Sequence, residues 1–100
     1  MKQNIFNQYA EKVCDIFSIE DKSLFEKNKR KDVVDARHLL YFLCAERPMK
    51  IVYIQEYMAE KGYIINHTSI LYGIRKVTER VKTDKDYVKV IKDIKKCDLV

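Results

Sequence analysis

Apolar positions along the chain fall into blocks with helical spacing rather than strand alternation. Ile5, Phe6, Tyr9, Val13, Ile16 and Phe17 recur at intervals of three and four, which predicts an amphipathic helix over residues 4–17. Residues 18–25 read as a turn and a short helix with Ile19, Leu24 and Phe25 inward. Asp32 is placed to cap a helix in which Val33, Val34, Ala36, Leu39, Leu40, Phe42, Leu43 and Cys44 are apolar on more than one side, the mark of a central core helix. Pro48 ends it, and a new helix from about Lys50 buries Ile51, Ile54, Tyr57 and Met58. Residues 59–65 connect through Gly62, a left-handed helix stop. Asn66 is the expected N-cap of a helix reaching about Lys82, with Ile70, Leu71, Ile74, Val77 and Val81 along one face. Thr83 and Asp86 fit a capping box for a last helix packed through Tyr87, Val88 or Val90, Ile91 and Ile94. One alternative remains open: Ile51–Ile54 and Tyr63–Ile65 are β-branched enough to be short strands of a winged-helix protein.

Composition narrows the class. The 100 residues are 47% hydrophobic, with only two glycines and one proline. Disorder is excluded by the first figure, and sandwiches or barrels, which need frequent turn residues, by the second. The expectation is one all-α domain over residues 1–100, with about six helices. Cys14, Cys44 and Cys97 are odd in number and far apart, so they make neither a disulfide framework nor, with only His38 and His67, a zinc site. No metal and no cofactor is expected. The start of the chain does not read as a signal peptide, and the longest apolar run, Leu39–Ala45, falls far short of the ~20 residues of a membrane span. No membrane association is expected. An intracellular, cytoplasmic setting follows, with the Asn66-His67-Thr68 sequon accidental.

Charge gives the first functional hint. The chain carries a net +5, but residues 1–26 hold three basic against five acidic side chains, so the excess lies entirely beyond them. The densest basic run is Lys27-Asn28-Lys29-Arg30-Lys31. Such a balance favours a polyanion, nucleic acid before anionic membrane. The two helices around residues 50–59 and from Asn66 have the outline of a helix-turn-helix, whose second helix enters the major groove N-terminus first. That second helix opens on Asn66, His67, Thr68 and Ser69, side chains able to hydrogen-bond base edges, with Leu71 placed to meet a thymine methyl. Asn, Thr and Ser also cap helices for purely local reasons.

From Ile5 to about Lys96 the chain resembles the C-terminal DNA-binding domain of DnaA, the bacterial chromosomal replication initiator. Lys29-Arg30-Lys31 fits that family's basic loop, and Val34-Asp35-Ala36-Arg37-His38-Leu39-Leu40-Tyr41-Phe42-Leu43 its long helix, with Arg37 at the family's arginine. Asn66-His67-Thr68-Ser69-Ile70-Leu71 fits the Asp-His-Thr-Thr signature, and Arg75-Lys76-Val77 the Arg-Lys-Ile that follows. The resemblance implies that Arg37 inserts into an A·T-rich minor groove, which concentrates negative potential. The basic loop, with Arg75 and Lys76, would hold phosphates, contacts that position a protein without reading sequence. The chain departs from the family at Tyr63-Ile64-Ile65, where a Gly-rich turn and an arginine are usual, and at Asn66 and Ser69, so the family's target box does not carry over.

These readings converge on sequence-preferring binding of double-stranded DNA, without catalysis, in replication-origin recognition or transcriptional control. With no Gly-rich phosphate loop in the chain, a phage or plasmid setting and a nucleoid or host-cytoplasm location fit best. Nor does the sequence contain a Ser/His/Asp or Cys/His arrangement for nucleophilic catalysis. The rival reading is a helical adaptor or structural protein that keeps the fold without base readout.

Overall fold

The computed structural model describes residues 2–96. Among them are six helices and no strand: α1 (Lys2–Phe17), α2 (Asp21–Leu24), α3 (Lys31–Glu46), α4 (Ile51–Glu60), α5 (His67–Thr83) and α6 (Lys85–Lys96). The β-branched segments therefore do not pair. Ile51–Ile54 opens α4, and residues 63–65 form an unpaired connection.

The core is built around α3. Val33, Ala36, Leu39, Leu40, Tyr41, Leu43 and Cys44 are all buried, on several sides of the helix, because α1 and α5 pack against it from different directions. Phe6, Tyr9 and Val13 of α1, Ile54 and Met58 of α4, Ile70 and Val77 of α5, and Ile91 and Ile94 of α6 complete the cluster. Cys14 and Cys44 are buried in it; burial, aided by Asp21, pushes the Cys14 thiol up to about 12, and burial raises that of Cys44 too. Neither is a thiolate nucleophile at neutral pH. Cys97 lies outside the described residues.

Helix ends show where local chemistry decides. Ser18 (φ 54°) and Gly62 (φ 95°) both occupy the left-handed region just past a helix. In each case the following amide reaches back to close a Schellman turn: Ile19 N donates to Cys14 O (3.0 Å), and Tyr63 N to Met58 O (3.0 Å). Two caps differ from expectation. Helix α3 begins at Lys31, so Asp32 lies inside its first turn, where it accepts from its neighbour Val33 N and pairs with Arg30. At α6 the cap is Asp84 rather than Thr83: its Oδ1 accepts from the amides of Asp86 (3.0 Å) and Tyr87 (3.4 Å). The Thr83 hydroxyl instead turns back to Arg80 O.

The approach of α5 to α3 is set at Gly73. A Cβ there would lie 2.7 Å from His38 Cδ2 and 2.9 Å from Tyr41 Cδ2, so only glycine allows this spacing. The close crossing holds the N-terminal half of α5 beside the loop that precedes α3.

Candidate functional site

Helix α5 starts as expected. Asn66 is its N-cap, its side-chain oxygen accepting from Ser69 N at 2.8 Å. With that oxygen engaged, the amide NH2 is the part of Asn66 left to donate outward. Asn66, His67, Thr68 and Ser69 are all exposed. The first turn holds no acidic residue, and the amides of His67 and Thr68 have no carbonyl within the helix to bond. This end of α5 is thus a concentrated positive dipole surrounded by small polar side chains.

Beside it the chain forms a cleft of about 620 Å³. One wall is the basic loop, Lys27, Asn28 and Lys29; the other is Asn66, Thr68, Ser69 and Tyr72 of α5; His38, Tyr41 and Tyr63 close it behind. A second cleft of about 750 Å³ shares Lys29, His38 and Tyr72 with the first and continues past Lys31 and Lys76 to Arg80 and Tyr87. Along α5, Thr68, Tyr72 and Lys76 form the stripe that faces these clefts. His67, Leu71 and Arg75, each one residue earlier, form a parallel exposed stripe outside them. Three of the large apolar side chains most exposed to solvent belong to this region: Ile64 and Tyr72 line the first cleft, and Leu71 lies on the outer stripe of α5.

The expected phosphate-binding residues are placed unevenly. Lys29 lies between both clefts, and Lys31 and Lys76 line the second. Arg30 is exposed but pairs with Asp32 at 3.0 Å, which lowers the Asp32 carboxyl and raises the guanidinium. Lys31 pairs with Asp35 at 3.4 Å. Arg75 is exposed on the outer stripe. Arg80, which sequence reasoning passed over, braces three helices, pairing with Asp35 of α3 (4.0 Å) and Asp84 (3.4 Å) and lying over the Tyr87 ring of α6 (4.5 Å).

Arg37 is the correction. It is only 5% exposed, and its guanidinium points into the protein. Nε donates to Leu24 O (2.8 Å), Nη1 to Asn28 O (3.0 Å), and Nη2 to Ser23 O (3.4 Å) and Glu26 O. Its flat face lies 4.4 Å from the centre of the Tyr63 ring. Helix α2 is one turn long: Phe25 N reaches Lys22 O (3.2 Å) and Glu26 N reaches Ser23 O (3.4 Å), and the arginine fork supplies donors to Ser23 O, to Leu24 O and to the loop carbonyls of Glu26 and Asn28. A side chain spent in this way cannot also enter a DNA groove. Neither Asp35 nor Glu46 pairs with it; their partners are Lys31 and Arg80, and Lys95.

Three aromatic groups were not read as site residues in the sequence. Tyr72 is half-exposed, with His38 packed edge-on against it at 5.8 Å. Burial lowers the affinity of His38 for a proton; Asp35 opposes the effect, while Lys76, Arg37 and Lys31 add to it. Tyr41 is 1% exposed, and its hydroxyl has no hydrogen-bond partner. The signal for His38 and Tyr41 is available only afterwards: they follow Arg37 by one and four residues on the α3 face that meets α5.

Among the described residues no group of His, Cys, Asp and Glu could hold a metal ion, and no helix is long and apolar enough to cross a membrane. No protein-family model matches the sequence, and no match to it was found among curated proteins.

Proposed function

We propose that this domain binds double-stranded DNA with sequence preference, α5 entering the major groove N-terminus first. The observation that carries the reading is the opening turn of α5. Four polar side chains, Asn66 to Ser69, stand exposed on a helix end with no acidic residue; Lys29 lines the cleft beside it, Lys31 and Lys76 line the next cleft, and Arg75 is exposed about two turns along α5. His67 and Thr68 would read base edges, Asn66 would donate from its free NH2, and Leu71 would meet a thymine methyl. The lysines and Arg75 would hold phosphates. Arg37 supports the loop and makes no base contact. Apart from Arg37, this assignment follows the resemblance to the DnaA DNA-binding domain, with origin recognition or transcriptional control as the biological setting.

The rival, a helical adaptor, draws on one observation of its own: Ile64 and Tyr72 expose apolar surface in the first cleft and Leu71 beside it, as protein interfaces often do. Selection from a random duplex pool, read by mobility shift, separates the two. Enrichment of one motif supports base readout. Absent binding, or binding indifferent to sequence, supports the adaptor.

A further inference from the structure

Three features of the first cleft bear on a ligand, and the first two have no role in major-groove binding. The Tyr41 hydroxyl is fully buried and unpartnered, a state that costs a protein stability and is uncommon enough to call for a partner such as a bound water or a ligand. Tyr41 is one of the residues that line the cleft, as are Tyr63 and Arg37. Second, the cleft is walled by aromatic rings, Tyr63, Tyr72 and His38, on a surface otherwise rich in lysine. Third, its mouth carries the unbonded amides of the α5 first turn, the Thr68 and Ser69 hydroxyls, and Lys29. Its volume, about 620 Å³, is that of a small-molecule pocket.

We propose that this cleft binds a free mononucleotide. The phosphate would sit at the N-terminus of α5, where amides and dipole favour an anion and Lys29 adds a full charge. The planar base would lie against Tyr72 and Tyr63, as bases stack on aromatic faces elsewhere. A small opening of the cleft wall would let the Tyr41 hydroxyl donate to an acceptor on the base, gaining the partner it lacks in the empty protein. Neither half of the ligand alone meets all three features: inorganic phosphate leaves the rings and Tyr41 unused, and a nucleoside leaves the helix end unused. Because the cleft shares Lys29, Asn66, Thr68 and Ser69 with the DNA face, an occupied cleft would exclude duplex. That regulatory consequence rests on the DNA-binding reading; nucleotide binding does not.

The test is a titration of the isotopically labelled protein, followed by amide shifts, with adenosine and thymidine 5′-monophosphates, inorganic phosphate, adenosine, and a short duplex as separate probes. The expected result is saturable binding of a mononucleotide at least about tenfold tighter than phosphate or nucleoside. Shifts should centre on Asn28, Lys29, Tyr63, Thr68 and Ser69. Tyr41→Phe should weaken the nucleotide severalfold while raising the melting temperature of the empty protein, since it deletes an unsatisfied buried group. Lys29→Ala and Tyr72→Ala change exposed side chains, so they keep the proposal testable whatever Tyr41→Phe does to folding; each should weaken the nucleotide. Nucleotide binding without duplex binding supports the cleft and removes the DNA reading. Duplex binding with no response to any mononucleotide overturns the cleft proposal and spares the DNA reading. Phosphate binding as tightly as the nucleotide overturns it also, as does a response to no probe.

Discussion

Arg37 shows where a family resemblance stops at a single side chain. The resemblance implies a groove-binding role, yet here four carbonyls of residues 23–28 converge on its guanidinium. Hydrogen bonds to a charged donor contribute more than neutral ones, and losing this donor would strip the buried bond from Leu24 O and the part-buried ones from Glu26 O and Asn28 O. Arg37→Ala should therefore lower the free energy of unfolding by roughly 3 kcal/mol or more, measured by urea denaturation. Unchanged stability would mean that the arginine is free for another task. Arg37→Lys should recover only part, because an ammonium cannot span the forked set of carbonyls. His38 carries the second prediction at this scale. Its folded form holds a proton less readily than the ordinary 6.5, chiefly through burial. The unfolded chain thus binds more protons in the window below 6.5, so His38 contributes stability that is complete above that pH and lost as pH falls. Thermal melts between pH 7.5 and 5 should show a steeper decline for the native protein than for His38→Gln; parallel declines would exclude His38 as the source.

At the scale of elements, most of the helices were legible because their burial is one-sided and local. The 3.6-residue period of α1 and α5, the all-round apolarity of α3, Gly62 and the Asn66 cap all appear where the pattern puts them. The caps of α3 and α6 were legible only to within a residue or two, since Arg30, Asp32, Thr83 and Asp84 offer competing starts and packing chooses between them. What the pattern could not carry was any relation between helices. That His38 and Tyr41 meet Gly73, or that Arg80 joins α3 to α6, depends on which faces touch, and periodicity does not encode this. Gly73→Ala tests the crossing. On an isolated helix alanine would be favoured by about 1 kcal/mol, but its Cβ would press into two rings, one of them fully buried, and such overpacking costs about 1–3 kcal/mol. The expected outcome is a net loss of stability, with shifts in the His38 and Tyr41 ring signals. A gain in stability would mean that α3 and α5 can separate freely.

For the whole molecule the question is how many of its charges reach a ligand. The net +5 arises outside residues 1–26, which form α1, α2 and the first loop residues, so one part of the protein is acidic and the rest basic. Six cations looked available in the sequence: Lys29, Arg30, Lys31, Arg37, Arg75 and Lys76. Burial removes Arg37, and the exposed pair with Asp32 weakens the claim of Arg30. About four phosphates neutralised on duplex DNA correspond to a log–log dependence of affinity on salt with a slope near −4. Within that total the residues should separate by kind. Lys31→Ala should weaken preferred and random duplex alike and reduce the slope by about one. Its exposed pair with Asp35 contributes little to stability, so the loss would not come from misfolding. His67→Ala should leave the slope unchanged and cost about 1–3 kcal/mol on the preferred sequence alone. Titrations of both variants against a selected and a scrambled duplex at three salt concentrations distinguish the two effects. If binding ignores salt, the lysines beside α5 are a solvated surface, and the exposed apolar side chains Ile64, Leu71 and Tyr72 become the better guide to what this domain meets.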